Sequence, residues 1–370
     1  MDISIVVPTW NRSDLLADLL KTLKAERAGH AGKTEVVIVD SSEGDEQQKI
    51  QEHCARYDAR YVFGPNSVRK KRNLGVQSSS LELILFLDSD VTVEPGFLDA
   101  HVKAVQREKD VAAAQGLTEF VGPNTFLWNA TRLSKLVWSF SNPKRFPYQS
   151  WSITANLSVR RSVFEEIGGF VEDLPFKLGG DDLEMSYRIN KAGYRIASAP
   201  DAVALHAKTT WNSMAALKDR TKRWGTIESN VSTMHPELYQ RVIPPNYVYV
   251  ALFTLVVVLA AVVARSVPLA LLAVMIVPFF CVQRWIWEMR SQEQFINPVH
   301  LLAACVINGR YEFYRVRGHM KMRRPFPHAH AFVFGPLQVR GSFYADAPRL
   351  WLLVLDFLLI SAAAAVIVHG

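Results

Sequence analysis

Leu81–Asp90 reads LELILFLDSD: five consecutive apolar residues, Leu83 to Leu87, run directly into two carboxylates one residue apart, Asp88 and Asp90. An unbroken apolar run of this length suits a strand buried on both faces of a parallel sheet. In open α/β sheets, ligands collect outside the carboxyl ends of the strands, so the run would deliver both carboxylates to that edge. Hard divalent cations take oxygen ligands from carboxylates and phosphates. The stretch is therefore a place for a metal and a diphosphate. A second acidic motif, Gly179–Arg188 (GGDDLEMSYR), sets Asp181 and Asp182 directly after a glycine pair.

Working outward from the DSD stretch, similar apolar runs occur at 3–7 (ISIVV) and 35–39 (EVVIV), with amphipathic stretches at 13–24 and 45–57 between the runs. This alternation predicts βαβ units and a doubly wound, mostly parallel sheet, an α/β nucleotide-binding half. Beyond Asp90 the pattern loosens into predicted helices near 95–107 and 124–140, a strand near 152–159 and a helix over 181–191. These would form an acceptor half.

With 370 residues the chain exceeds one ordinary domain, and its hydrophobic content, 49% overall, is concentrated in the last third. Residues 247–264 are almost uninterrupted hydrocarbon, 267–282 continue it with Trp285 and Trp287 as an interfacial belt, and 350–368 form a third run. Each approaches the length needed for a ~30 Å hydrocarbon core. The domains predicted are thus 1–228 catalytic, 229–246 linker, 247–287 a transmembrane hairpin, 288–348 a basic interfacial segment, and 349–370 a third transmembrane helix in an α-helical membrane domain. Formal charge is +7, and between Arg284 and Pro348 nine Lys/Arg face four Asp/Glu. A membrane surface accounts for that excess better than nucleic acid does. Residues 298–316, with Arg310, Arg315 and Arg317 at the polar end, would lie on the membrane as an amphipathic helix. The tract 321–330 (KMRRPFPHAH) suits anionic headgroups or a lipid phosphate, and His328 and His330 are metal-ligand candidates lacking a third partner. Cys54, Cys281 and Cys305 show neither disulfide nor zinc spacing, so the compartment is read as reducing. The N-terminus begins on a strand-like run with no signal-peptide pattern, and the positive-inside rule agrees in placing the N-terminal part on the cytoplasmic side of the cell membrane.

Around the strand ends stand the candidate ligand contacts. Pro8, Thr9, Trp10, Asn11 and Arg12 follow the first run, and Asp40, Ser41 and Ser42 end the second, positions suited to a base and ribose. Arg69, Lys70, Lys71, Arg72 and Asn73, with Gly75 beyond, begin a cationic helix that either meets a diphosphate or is simply solvated. Asp181 or Asp182 could cap a helix, and Glu184 and Arg188, four residues apart, suit a helix-surface ion pair.

The succession SIVVPTWNR, VIVDSS, VRKKRNLG, LFLDSDV, TANLSVRRSVFEEIGGF, GGDDLEMSYR and a later His206 resembles the inverting family 2 glycosyltransferases, which have the GT-A fold. The resemblance covers residues 2–224. It implies base and ribose contacts at Asp40, Thr9, Asn11, Arg12, Asp88 and Ser89, with Pro8 beside them, and a diphosphate contact at Arg72 with Asn73. It further implies Mg²⁺ or Mn²⁺ on Asp90 with His206 nearby, and a donor-sugar element at Thr154, Ala155 and Asn156. Gly168, Gly169 and Phe170 match a turn toward the acceptor loop. The catalytic base of such enzymes falls on Asp182, with Asp181 standing where Glu is usual. Arg220–Trp224 (RTKRW) approaches the QxxRW motif of processive synthases, with Arg in place of Gln, and offers Arg223 and Trp224 as acceptor or diphosphate contacts.

The resemblance thus implies a membrane-anchored, metal-dependent, inverting transferase moving sugar from a nucleotide-sugar, most simply a UDP-sugar, to a lipid-linked saccharide or polysaccharide. A polyprenyl-phosphate sugar synthase, a short processive synthase and a non-catalytic membrane scaffold are the alternatives.

Overall fold

The computed structural model describes residues 1–134, 136–174, 179–241, 247–292, 296–323, 330–332 and 350–369. They fall into two compact units, one formed by Met1–Pro123 with Trp138–Trp211, the other by 124–137 and the described residues from 212 onward.

In the first unit β1 (Ile3–Thr9), α1 (Ser13–Gly29), β2 (Thr34–Asp40), α2 (Gly44–Arg56), β3 (Arg60–Phe63), α3 (Val68–Gln77) and β4 (Leu83–Leu87) alternate as read. Then come β5 (Val91–Val93), α4 (Phe97–Val105) and β6 (Val111–Val121). After α5 (Phe126–Thr131), which belongs to the second unit, the first resumes with β7 (Tyr148–Gln149), β8 (Asn156–Arg160), α6 (Arg161–Glu166), α7 (Asp181–Lys191) and β9 (Arg195–Ala207). The sheet order is β3-β2-β1-β4-β8-β6-β9-β5, with β7 against β9. It is mixed: the first four strands are parallel, whereas β8 runs antiparallel to both β4 and β6. Strand period two divides the core. Ile3, Ile5, Leu83 and Leu85 pack with α1, α2 and α4 on one face, and Val6, Ile84 and Phe86 pack with α3, α6 and α7 on the other.

The helix predicted over 124–140 stops at Thr131. The Thr131 and Ser134 hydroxyls bond back to the carbonyls of Leu127 and Thr131, and a 3₁₀ turn containing Pro143 occupies Trp138–Lys144.

The second unit holds α5, α8 (Met214–Met234), β10 (Tyr239–Arg241), α9 (Tyr247–Val263), α10 (Val267–Gln292), α11 (Pro298–Lys321), β11 (His330–Phe332) and α12 (Leu350–His369). The predicted boundary at 228 lies within α8, and residues 242–246 of the predicted linker are outside those described. A Cβ on Gly225 would stand 2.4 Å from the Tyr311 carbonyl oxygen, and one on Gly318 would stand 2.3 Å from Ser229 Oγ, so α8 and α11 meet backbone to backbone. Between them Glu228 and Arg315, each 3% exposed, lie 3.9 Å apart, and Arg310 donates to the Thr221 hydroxyl.

α11 covers residues 298–316, read from the sequence as an interfacial amphipathic helix. The helix turns Arg315, Glu312 and Asn308 inward, while Val299, Leu302, Val306, Phe313 and Met320 are exposed. Its C-terminal half thus buries polar groups, whereas Leu301, Ala304 and Ile307 are buried in its N-terminal half.

The three predicted transmembrane runs are also corrected: among the described residues, no helix is long and apolar enough to cross a membrane. α9 has 17 residues, a length of about 26 Å against a core of about 30 Å. α10 runs continuously through Pro278 and its sequence carries Arg284, Glu288 and Arg290 in its C-terminal half, and the sequence of α12 contains Asp356. All three cysteine thiols are free and buried. His330 starts β11, paired with Arg241, and His328 is outside the described residues.

Candidate active site

Strand register builds the first cluster. β5 begins one residue after Asp90 and pairs antiparallel with β9 so that Val91 lies opposite His206, and the Ala207 N–H donates to the Asp90 carbonyl at 3.0 Å. Asp88, Asp90 and His206 therefore present three ligand atoms within 4.8 Å of one another, although 116 residues separate Asp90 from His206 in sequence. The imidazole is stacked on Phe120 at 5.3 Å and edged by Trp211 at 6.0 Å and Phe140 at 6.3 Å. Its Nδ1 faces the Ala207 carbonyl at 3.3 Å, which leaves Nε2 turned toward Asp90 Oδ1 at 3.5 Å. Asp90 Oδ1 is buried and accepts no hydrogen bond among the described residues. Two carboxylates, one of them with an orphaned buried oxygen, and one imidazole fit a divalent cation.

The second cluster depends on a glycine. A Cβ at Gly75 would stand 2.3 Å from Val6 Cγ1, so α3 lies hard against β1 and carries its cations inward. Arg69, Lys71 and Arg72 are 5%, 3% and 5% exposed, which excludes the solvated reading of this helix start. Arg72 reaches two acidic motifs at once, donating to Asp181 Oδ2 at 2.6 Å and to Asp88 Oδ1 at 3.3 Å, with its guanidinium 5.5 Å from the Phe170 ring centroid.

At the start of α7 the cap position is Gly180, at φ +81, so Asp181 and Asp182 are the first two helical residues and neither is the cap. The neighbours differ in kind. Asp181 is buried in its ion pair with Arg72. Asp182 accepts the Leu183 N–H at 2.9 Å, and burial, with the adjacent Asp181 charge, pushes its carboxyl up to about 7, partly opposed by Arg72. A carboxylate tuned to neutral pH suits a general base.

The third cluster surrounds Asp40, which is fully buried. Its Oδ1 accepts from the Ser42 N–H at 2.9 Å and the Ser42 hydroxyl at 2.6 Å, and its Oδ2 from the Tyr61 hydroxyl at 3.2 Å. Ser42 Oγ in turn accepts the Asn11 N–H at 2.7 Å, holding Asn11 at φ +50. Lys71 Nζ ties β1 to β2 by donating to the Thr9 carbonyl at 2.6 Å and to Ser41 Oγ at 2.9 Å. Burial lowers this ammonium to about 8, with Asp40 opposing and Arg12 and Arg72 adding to the shift. Thr9 Oγ1 is buried with no hydrogen-bond partner among the described residues, and the Trp10 indole is half exposed beside it in the chain. Pro8 precedes them on β1, and Ser89, 2% exposed, lies between the two aspartates.

Residues 4–168 match the family model described as glycosyl transferase family 2. Over those residues the chain is similar to the family 2 glycosyltransferases. Among curated proteins it is 25% identical over 211 residues to the glycosyltransferase AglE of Haloferax volcanii, covering 55% of this chain and 66% of that protein. It is 25% identical over 236 residues to the validoxylamine A glucosyltransferase of Streptomyces hygroscopicus subsp. jinggangensis, covering 55% of each. The chain thus spans about half to two thirds of the length of these relatives. The mannosyltransferase PcManGT from Pyrobaculum calidifontis, solved with GDP-Man and Mn²⁺, superposes with a TM-score of 0.53 at 19% identity, covering 83% of this chain and 86% of that one, which shows the GT-A fold.

Within the glycosyltransferase domain, several predicted contacts are placed elsewhere. Asn156, read as a donor-sugar residue, is 1% exposed. Its amide donates to the carbonyls of Leu117 and Ala202 at 2.9 and 3.0 Å and faces His101 Nε2 at 2.8 Å, so it locks strands together. Burial holds His101 neutral, lowered to about 4. Asn73, read as a diphosphate contact, instead closes both sides of a turn, bonding Phe170 O at 2.8 Å and Phe170 N at 3.0 Å. Glu184 and Arg188 form a bidentate pair at 2.7 Å, not on the surface but with Glu184 1% exposed, and Arg188 also holds the Gly169 carbonyl at 2.7 Å. Thr154 and Ala155 are likewise buried. Arg223 pairs with Asp219 at 2.6 Å on α8, and both it and Trp224 belong to the second unit.

The sequence reading passed over Tyr61, and it named Lys71 and Ser42 only as parts of the basic helix start and of the strand end, not as partners around Asp40. Only Gly75, four residues after Lys71, signals that the basic helix is pressed against a strand.

Proposed function

We propose that this protein is an inverting, metal-dependent glycosyltransferase that takes sugar from a nucleotide-sugar and passes it to a lipid-linked saccharide or polysaccharide at the cytoplasmic face of the cell membrane. The observation that carries the reading is the differing state of two neighbouring carboxylates, Asp181 neutralised by Arg72 and Asp182 raised to about 7, on the helix tied through Arg72 to the DSD motif.

Asp182 would accept the proton of the acceptor hydroxyl as that oxygen attacks the sugar C1 carbon, and the nucleoside diphosphate departs from the opposite face. Asp88, Asp90 and His206 are the residues that would hold Mg²⁺ or Mn²⁺, which when bound offsets the charge of the leaving diphosphate. Asp40, held by Ser42, and Asn11, held in turn by Ser42, stand at the base pocket, and Trp10 offers a ring on which a base can stack. UDP is the first donor nucleotide to test and GDP, the nucleotide of the superposed mannosyltransferase complex, the second.

Membrane association rests on the second unit. Val262, Val263, Val267, Leu271 and Val274 are among the exposed apolar residues of α9 and α10, and α11 carries its apolar stripe outward beside the exposed Arg317. Helices with charge inside and hydrocarbon outside suit lipid, not water.

The test is sugar transfer from UDP- and GDP-sugars to lipid-linked acceptors by detergent-purified protein with Mn²⁺. Turnover abolished by Asp182→Asn, with Mn²⁺ and nucleotide binding retained, supports the reading. Unchanged function in that variant would turn it toward a non-catalytic scaffold.

A further inference from the structure

Arg12 stands where β1 gives way to α1. Its main chain is fixed: its carbonyl accepts the Leu16 N–H at 3.0 Å, and the preceding Asn11 is tied to Ser42 at 2.7 Å. Its side chain is 39% exposed and reaches inward to Asp90, which is 4% exposed, with Nη1 2.8 Å from Oδ2. The carboxylate thus has two different edges. Oδ1 faces His206 and accepts no hydrogen bond among the described residues, whereas Oδ2 is covered by the guanidinium.

A buried carboxylate without a counter-charge costs several kcal/mol, and Arg12 supplies that counter-charge. A divalent ion would supply it too. Two cations on one carboxylate, about 4 Å apart, repel each other, so the guanidinium and the metal compete for Asp90.

We propose that Arg12 is a place-holding cation on the metal carboxylate. It covers Asp90 Oδ2 before the donor arrives, yields the site to the divalent ion, and moves to the phosphate oxygens that come with the donor. The inference rests on the reading of Asp90 as a metal ligand and goes beyond it, because it makes metal and nucleotide binding mutually reinforcing. Metal binding displaces Arg12, and a diphosphate gives the displaced guanidinium a new bidentate partner.

The experiment is titration of the full chain with Mn²⁺, following the EPR signal of free Mn²⁺, first alone and then with UDP or GDP. Wild type is compared with Arg12→Met, with Asp90→Asn as the metal-site control and with Lys70→Met as a control for loss of a nearby positive charge. Lys70 is 41% exposed and lies 3.9 Å from Glu172 and from Asp173, not at Asp90. Circular dichroism checks that each variant is folded.

The expected result is that Arg12→Met binds Mn²⁺ alone about three- to fivefold more tightly than wild type, the worth of one partly exposed ion pair. Lys70→Met should match wild type, and the gain in Mn²⁺ affinity on adding nucleotide should shrink in Arg12→Met. Equal or weaker Mn²⁺ binding by Arg12→Met overturns the proposal, as does equal tightening in Lys70→Met, which would reduce the effect to general charge. Mn²⁺ binding by wild type that survives Asp90→Asn, or is absent altogether, overturns the metal reading itself and this inference with it.

Discussion

Arg72 donates to Asp181 at 2.6 Å across 109 residues of sequence, and the same guanidinium reaches Asp88 at 3.3 Å. One side chain therefore joins the carboxylate after β4 to the carboxylate pair at the start of α7. Arg72→Met should leave two acidic groups without their cation, at a cost of about 3–5 kcal/mol for breaking a buried pair. Arg72→Lys, which keeps the charge without the fork, should fall between it and wild type. Urea unfolding of the three proteins measures this.

Activity should rise through neutral pH. Asp182 must be ionised to take a proton, and its carboxyl sits at about 7, so kcat should fall as pH drops below that point. Since Arg72 lowers Asp182, the acid limb of Arg72→Lys should not move to lower pH than that of wild type. Asp182→Asn should reduce turnover at least ~100-fold.

Stability should show the same group with a definite sign. A carboxyl raised in the folded state binds more protons folded than unfolded between its ordinary value and about 7, so its contribution to stability falls as pH rises through that window. Asp182→Asn removes the penalty. Its Tm should exceed that of wild type by about 2–4 °C at pH 8 and match it near pH 4, as differential scanning fluorimetry can read.

Gly75→Ala should be far more harmful than its exposure to helix propensity suggests. The added Cβ would meet Val6 Cγ1 at 2.3 Å, and α3 must shift away from β1, carrying Lys71 and Arg72 with it. About 1–3 kcal/mol of stability should be lost, with weaker nucleotide binding by calorimetry.

Val306→Glu with Phe313→Glu tests the outward face of α11. Both side chains are exposed, so the fold should survive while sedimentation with vesicles containing anionic lipid falls about tenfold or more. Arg315→Met, which removes the buried cation 3.9 Å from Glu228, should instead destabilise the second unit.

Much of the site was legible because strand ends announce themselves. The LILFL run ends in Asp88 and Asp90, and the glycine pair before Asp181 marks a helix start; both stand where their sequence context put them. Amides were harder: Asn73 and Asn156 carry the same donors and acceptors whether they meet a sugar or close a turn, and only burial separates the two uses. The VRKKRN helix looked ambiguous because charge argues for solvent, yet Gly75 lets it lie against β1. Where α8 meets the C-terminal half of α11 the usual rule was inverted. A period-3.6 pattern tells that two faces differ, not which one faces the protein, and the small residues Thr221, Gly225 and Ser229 gave the only hint that α8 presents its polar face to a neighbour.

The pairing of Val91 with His206 has a consequence for how the molecule is made. Asp88 and Asp90 leave the ribosome more than a hundred residues before the histidine, and they become a three-ligand site only when β9 slots between β6 and β5. A partly synthesised chain holds two aspartates and no such site. On the metal reading, ion affinity would be a certificate of a finished sheet, and an ion bound there would fasten the sheet's last strand to be synthesised.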